Sequence, residues 1–415
     1  MNIIMDELRD VSTVKEVFAG LVNVDVRNAI FCCLPGSTRN KNTLMVSLLR
    51  IICYSFMIDV SFKKENNAEI AFIYSNSYKN RSDHYEIMSE FVKAFESRIF
   101  FYPGRKKFYP QNLAYIKNLR NWYSNFRKDY SIKDSIFLVS MLLFGITNCD
   151  YILKTIVDIR TNKIVVFSDM HLIDSLIVQK CNNIGLTTFT LQHGNFETEI
   201  PYLLSKSKYF LAYGEYTKRK AVSFGMDSNK VIPAGVLRGI TKKFPDTLSY
   251  KNQIKNIGII MSGFADKNAD EAMVNLLISY ANDHDLKLFV KFHPGYGIDN
   301  YTGIDWNRIE KTFSSEINVN EFSELVDIAI IYNSTVFVEY VLSLFPTFLF
   351  VYNEDKYFLD INWCKFSNIE QLDYLISDLL KNPSFVEQKL LETRKYFSAS
   401  ENISDNYKKI ISTLN

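Results

Sequence analysis

Four short segments place chemically able residues where apolar runs end. In KFHPGYG (Lys291–Gly297), the His293 ring can donate an N–H to a phosphate oxygen. Pro294 stiffens the following turn, and the two glycines let the main chain approach a ligand closely. Lys291 adds a positive charge or stands as a solvated edge residue. The segment also reads as a plain turn with an incidental histidine. In YNSTVFVEY (Tyr332–Tyr340), Asn333, Ser334 and Thr335 fall where a strand passes into a helix. Hydroxyls and free backbone N–H groups at a helix start attract an anion. Glu339, one turn in, is in reach of a ribose hydroxyl. Capping alone would explain the serine and threonine, and a solvated face would explain the glutamate. Gly263, which closes NIGIIMSG, joins this set.

The other two segments lie earlier. TLQHGNFETEIPY (Thr190–Tyr202) brings Gln192, His193 and Gly194 to a strand end, with Glu197 and Glu199 in the loop that follows. A histidine beside carboxylates suits proton abstraction from an acceptor hydroxyl. His193 is the first choice of base, then Glu197, then Asp169 of FSDMH (Phe167–His171). Asp169 is a base or holds a loop by hydrogen bonds, and His193 also fits a structural role. Asp169 and His171 together are too few ligands for a metal site. Arg238, between glycines in AGVLRG, meets a phosphate or pairs with a surface carboxylate. GITNCD (Gly145–Asp150) reads as a cap before a helix.

The elements that must hold these residues alternate. IAFIYS, KIVVFSD, TTFTLQHG, KYFLAYG and KVIPAG are strand-like runs separated by helical stretches around Tyr85–Phe95, Leu172–Asn182 and Glu215–Ser223. The pattern restarts with NIGIIMSG, a helix over Asn268–Asn282, LKLFVKFHP, VDIAIIYNST and PTFLFV. Continuous apolar strands alternating with helices indicate parallel sheets covered on both faces, and ligands then bind beyond the carboxyl ends of the strands. The expected fold class is α/β, two Rossmann-like doubly wound domains facing a cleft. The expected division is a first Rossmann-like domain over 1–240, a polar linker over 241–256, a second Rossmann-like domain over 257–395, and a helix over 396–415 that packs back on the first domain.

Bulk composition supports a globular enzyme. The 415 residues suffice for two domains, with 47% hydrophobic and 23% charged residues. A formal charge of +2 supplies no global field for nucleic acid, so no nucleic-acid partner is expected. The six cysteines lack CxxC spacing and read as buried thiols in a reducing compartment. MNIIMDELRD lacks the basic start and apolar run of a secretory leader. Val46–Val60 is the longest apolar stretch found; it contains Arg50, falls short of the roughly 20 residues that span a bilayer, and reads as a buried helix and strand. A cytoplasmic protein is expected. One local feature departs from charge balance: Pro103–Tyr130 interleaves Arg105, Lys106, Lys107, Lys117, Arg120, Arg127 and Lys128 with aromatics. It suits an anionic membrane surface or a solvated helix with a buried aromatic stripe.

The order of motifs resembles the GT-B glycosyltransferase-like enzymes of bacterial surface polymer synthesis. QHG comes first, then YGEYTKRKAVSFGMDSNKVIPAG, then HP and NST. Similar patterns occur in capsule sialyltransferases, Kdo transferases and CDP-glycerol glycerophosphotransferases, and the likeness covers roughly residues 163–351. The resemblance implies that His293, Ser334 and Thr335 contact the donor phosphate and that the nucleotide is often a cytidine nucleotide. No acidic-acidic-glycine base motif is found, which argues against a sialic acid donor. No DxD falls at a plausible strand end, so a metal-independent transferase without a cofactor is expected, taking a nucleotide-sugar co-substrate and a glycan or lipid-linked glycan acceptor. Other readings remain: a CDP-glycerol or ribitol-type phosphotransferase, a UDP-sugar 2-epimerase of the same fold, and a non-catalytic partner in polysaccharide assembly.

Overall fold

The computed structural model describes residues 56–75, 82–128, 130–194, 202, 205–237, 244–248, 250–263, 266–293, 296–314, 316–355, 357–399 and 402–415. Glu197, Arg238 and Pro294 lie outside them, as do most of Val46–Val60 and the start of the expected linker. The chain divides into two compact units. The first takes residues up to Tyr213, then Thr217–Thr241 and Asn402–Asn415; the second takes Gly214–Tyr216 and Lys242–Glu401.

In the first unit the order is β1 (Met57–Lys64), β2 (Ile70–Ile73), α1 (Ser82–Lys93), β3 (Arg98–Phe108), a 3-10 turn (Pro110–Tyr115), α2 (Ile116–Phe126) and α3 (Ile132–Ile159). It continues with β4 (Lys163–Val166), α4 (Leu172–Asn183), β5 (Thr187–Leu191), β6 (Tyr209–Ala212), α5 (Glu215–Ser223) and β7 (Val231–Pro233). The sheet runs β1-β3-β2-β4-β5-β6-β7, with β1 antiparallel at its edge and every other pairing parallel. The chain moves outward from β2 to β3, then returns to β4 on the other side of β2. The strand order therefore reverses between β2 and β4.

α3 corrects the sequence reading. Gly145–Asp150 is not a cap but lies inside this 28-residue helix. Leu138, Leu142, Ile146, Cys149, Ile152 and Ile156 recur at three- and four-residue steps and are buried, so one stripe fills the core. Gly145 permits the close crossing of α3 and α4, because a Cβ there would stand 2.8 Å from the Leu172 side chain. Over Ser135–Ile159 this helix is long and apolar enough to cross a membrane by length and composition, but 67% of its apolar 18-residue window is buried within the protein. Truncating a side chain such as Leu142 to alanine would cost about 2–5 kcal/mol.

The second unit contains β8 (Asn256–Ile260), α6 (Lys267–His284), β9 (Lys287–Lys291), β10 (Lys311–Phe313), α7 (Val319–Leu325), β11 (Ile328–Ile331), α8 (Val336–Leu342), β12 (Thr347–Phe350), β13 (Lys365–Phe366), α9 (Ile369–Lys381) and α10 (Pro383–Phe397). All its strand pairings are parallel, in the order β10-β9-β8-β11-β12-β13. Counted from β8, that is 3-2-1-4-5-6, the doubly wound dinucleotide-binding order, which reverses between β8 and β11. β11 and β12 are buried at every residue, as their unbroken apolar runs IAII and TFLF require. Tyr216, which clusters with this unit, packs on Phe358 and Phe397.

The last helix, α11 (Ile403–Thr413), belongs to the first unit. Asn406 Nδ2 and Tyr407 OH donate to the carbonyls of Ala234 and Gly235, each at 2.9 Å. The Tyr407 ring meets Phe91 edge-on, and Lys163 Nζ donates to the Ile411 and Ser412 carbonyls.

Candidate functional site

In the second unit, the turns leaving β8, β9 and β11 meet at the point where the strand order reverses. The backbone N–H of Asn333, just past β11, donates to Ser262 Oγ, just past β8, at 3.0 Å. Asn333 Nδ2 donates to Asp266 Oδ2 at 3.1 Å, and Tyr357 OH donates to the other oxygen at 3.2 Å. Burial, then the Asp266 charge, pushes the Tyr357 phenol up to about 12. Gly263 has φ +111°, where a side chain is strained whatever the space, and a Cβ on it would lie 3.6 Å from the ring carbon Cγ of His293. His293 is exposed, with the Tyr296 ring 5.6 Å away. Ser334 Oγ accepts from Val336 N at 3.3 Å in the turn that leads into α8, a helix of seven residues. Thr335 and Glu339 are half-buried on that same turn and helix.

One buried carboxylate holds the β8 turn. Asp270 Oδ2 accepts from the N–H of Ser262 at 2.9 Å, from that of Gly263 at 3.2 Å and from Tyr301 OH at 3.2 Å. Burial raises its carboxyl from 3.8 to about 7, and these donors moderate the rise. Lys291 has a different task from the one its sequence position suggested. It is buried rather than a solvated edge residue, and its Nζ donates to the carbonyls of Ser314 at 2.6 Å and Ile317 at 2.7 Å. It ties β9 to the turn after β10, and burial lowers its pKa.

In the first unit, residues following β2, β4 and β5 gather beside the β2/β4 reversal. His193 packs its ring 4.9 Å from Phe167, 5.6 Å from His84 and 6.4 Å from His171. Asp169 holds a loop by hydrogen bonds, one of its two readings. Its buried Oδ2 accepts from Ser205 Oγ, Lys206 N, Ser207 N and Ser207 Oγ at 2.7–3.1 Å. A carboxylate oxygen so engaged holds the approach to β6. Gln192 is buried and acts as a clamp: its Oε1 accepts from Tyr213 N at 2.7 Å, and its Nε2 donates to the Gly194 carbonyl at 2.8 Å. Asp174, fully buried in the first turn of α4, is held well above the usual carboxylate range, chiefly by burial. Ser75 and Ser168 lie near its carboxyl, but no described donor reaches hydrogen-bond geometry.

No family model matches the chain, and no curated protein matches it. Among solved structures, a glycosyltransferase from Rickettsia africae is similar at 12% identity and TM-score 0.50, covering 84% of this chain and 100% of that one. The chain has the GT-B glycosyltransferase fold. The wall teichoic acid polymerase TagF is also similar, at 15% identity and TM-score 0.45, covering 90% of this chain and 98% of that one. A UDP-GlcNAc 2-epimerase from Neisseria meningitidis, bound to UDP-GlcNAc, is similar at 11% identity and TM-score 0.47, covering 83% and 98%.

The GT-B fold places Gly263, His293, Asn333 and Ser334 around the strand reversal of its second unit, and His193 beside that of its first. Sequence reasoning missed Asp270, Asp266, Tyr301, Tyr357, His84 and Asp174. The two buried aspartates carried no local signal, since each is an acidic residue in the first turn of a helix, an ordinarily favourable place.

Proposed function

We propose that this chain is a glycosyltransferase that moves a sugar from a nucleotide-activated donor to a glycan or lipid-linked glycan in bacterial capsule or O-antigen synthesis. One observation carries the reading: the Gly263, His293 and Asn333 turns converge where a 3-2-1-4-5-6 sheet takes its ligand. An exposed imidazole beside a glycine of positive φ suits a phosphate that must approach the main chain. In the proposed reaction the acceptor oxygen bonds to the donor's anomeric carbon while the bond from that carbon to the phosphate oxygen breaks. His193 would take the hydroxyl proton, with Glu197 as the second choice of base. His293 and backbone N–H groups would offset the charge that develops on the leaving phosphate. No metal or cofactor is invoked. A cytidine nucleotide is the expected carrier, and the cytoplasmic face of the plasma membrane is the expected place of work.

A thermal-shift panel of CMP, CDP, UDP and GDP tests the donor site. A nucleotide at a hundred times its Kd stabilises the native state by about 2.7 kcal/mol. One nucleotide should raise the melting temperature of the wild type and lose most of that effect in His293→Ala. If none of the four does so, the donor site is refuted and a non-catalytic partner is favoured. Conversion of a nucleotide sugar without any acceptor would instead favour an epimerase. Transfer of glycerol phosphate from CDP-glycerol would favour the phosphotransferase.

A further inference from the structure

We infer that the face running from the end of β3 through α2 docks on an anionic lipid bilayer. From Ser97 to Lys128 the sequence carries eight Lys and Arg and no Asp or Glu, in a chain whose overall charge is only +2. The structure turns this asymmetry outward. On α2, Leu119, Trp122 and Phe126 face the core at helical spacing, while Ile116, Lys117 and Arg120 are exposed. Lys107, at the end of β3, is exposed as well, and among the described residues no carboxylate pairs with Lys107, Lys117 or Arg120. Large apolar side chains are exposed within the same stretch: Phe108 at 60%, Leu113 at 46% and Ile116 at 50%.

That combination selects the partner. Unpaired cations alone would suit any polyanion, and exposed apolar side chains alone would suit many protein surfaces. Cations alternating with a phenylalanine, a leucine and an isoleucine match an interface where anionic headgroups overlie acyl chains. The apolar stripe of α2 is already buried in its own unit, so this helix does not embed. Its basic face would lie along the headgroups while Phe108, Leu113 and Ile116 dip between them. The inference deepens the proposed function, since a lipid-linked acceptor would be met at such a surface, but its test does not depend on transfer.

The full-length protein is floated with vesicles of phosphatidylcholine alone and of phosphatidylcholine mixed with phosphatidylglycerol, at low and high salt. It should float only with the anionic vesicles and release as salt rises. Lys107→Glu, Lys117→Glu and Arg120→Glu combined should lower partitioning roughly a hundredfold, at about fivefold per surface cation removed. Phe108→Ser, Leu113→Ser and Ile116→Ser combined should still float at low salt but release at a lower salt concentration than the wild type. All six residues are exposed, so both variants should melt as the wild type does, and both should transfer normally to a water-soluble acceptor. The inference fails if the wild type stays unbound to anionic vesicles at low salt, or if the charge-reversed protein floats equally well. It also fails if the cations bind a single-stranded oligonucleotide while the protein never floats. Failed flotation with intact transfer would reject the docking face and leave the transferase reading standing.

Discussion

Two aspartates occupy nearly equivalent places in the two units, and their surroundings differ. Asp174 lies in the first turn of α4, after β4; Asp270 lies in the first turn of α6, after β8. Each strand borders the strand reversal of its sheet, and both side chains are fully buried. Asp270 gathers two backbone N–H groups and the Tyr301 hydroxyl, whereas no described donor completes a hydrogen bond to Asp174. In the second unit, therefore, the strand-end turn is fixed by directed hydrogen bonds, which hold atoms within tenths of an ångström. In the first, rings gather at the corresponding end, with His193 against His84, Phe167 and His171, beside the hydrogen-bonded Asp169 and Gln192. A hydrogen-bonded turn suits a fixed phosphate geometry. The ring cluster lies in the unit proposed to take the acceptor.

The sharpest attempt to break this contrast is His193→Ala. Loss of a general base typically costs about 10²–10⁴-fold in rate. Transfer should fall by that much while donor nucleotide affinity, read by calorimetry, stays near wild type. A variant that loses nucleotide binding instead would mean the ring cluster serves the donor. Next in size is the pH dependence that Asp270 imposes. Its folded carboxyl titrates at about 7 against 3.8 for the free group, so the folded state keeps a proton that the unfolded chain has released. Stability should therefore decline as pH rises from about 4 to about 7 and then level off, by up to ~4 kcal/mol. Asp270→Asn should flatten that part of the melting-temperature profile; an unchanged slope would mean the aspartate is ionised among its donors.

Asp169→Ala should lower stability by about 3 kcal/mol, because the donors from Ser205, Lys206 and Ser207 lose their shared acceptor. Denaturant titration reads this directly, and full stability with a collapsed rate would return Asp169 to the catalytic set. The smallest effect expected is that of Gly263→Ala, about 1–2 kcal/mol from a side chain forced to positive φ. It should also weaken nucleotide binding measured by thermal shift, and unaltered binding would detach the Gly263 turn from the donor.

Strands β2, β4 to β9, β11 and β12 were legible as apolar runs, IAII and TFLF among them, whereas β1, β3, β10 and β13 were not, since β1 and β10 are partly exposed and β3 is rich in lysine and arginine. α3 was not, because its Gly145, Asn148 and Asp150 resemble a turn until the partner helix is known. The positions of His193, His293 and Asn333 followed from strand ends. The tasks of Asp169, Gln192 and Lys291 did not, since their partners lie about 20 to 40 residues away and no local spacing encodes them. Asp174 and Asp270 were passed over for a related reason: an aspartate early in a helix is ordinarily a favourable first-turn charge, and only tertiary burial reverses that meaning.

The return of α11 to the first unit has a consequence for how the protein is made. Ala234, Gly235 and Phe91 wait for Tyr407 and Asn406, which leave the ribosome some 170 residues after Gly235. The second unit can finish folding while the first still shows an open face. Chains that stop near residue 400 would expose that face permanently and invite aggregation.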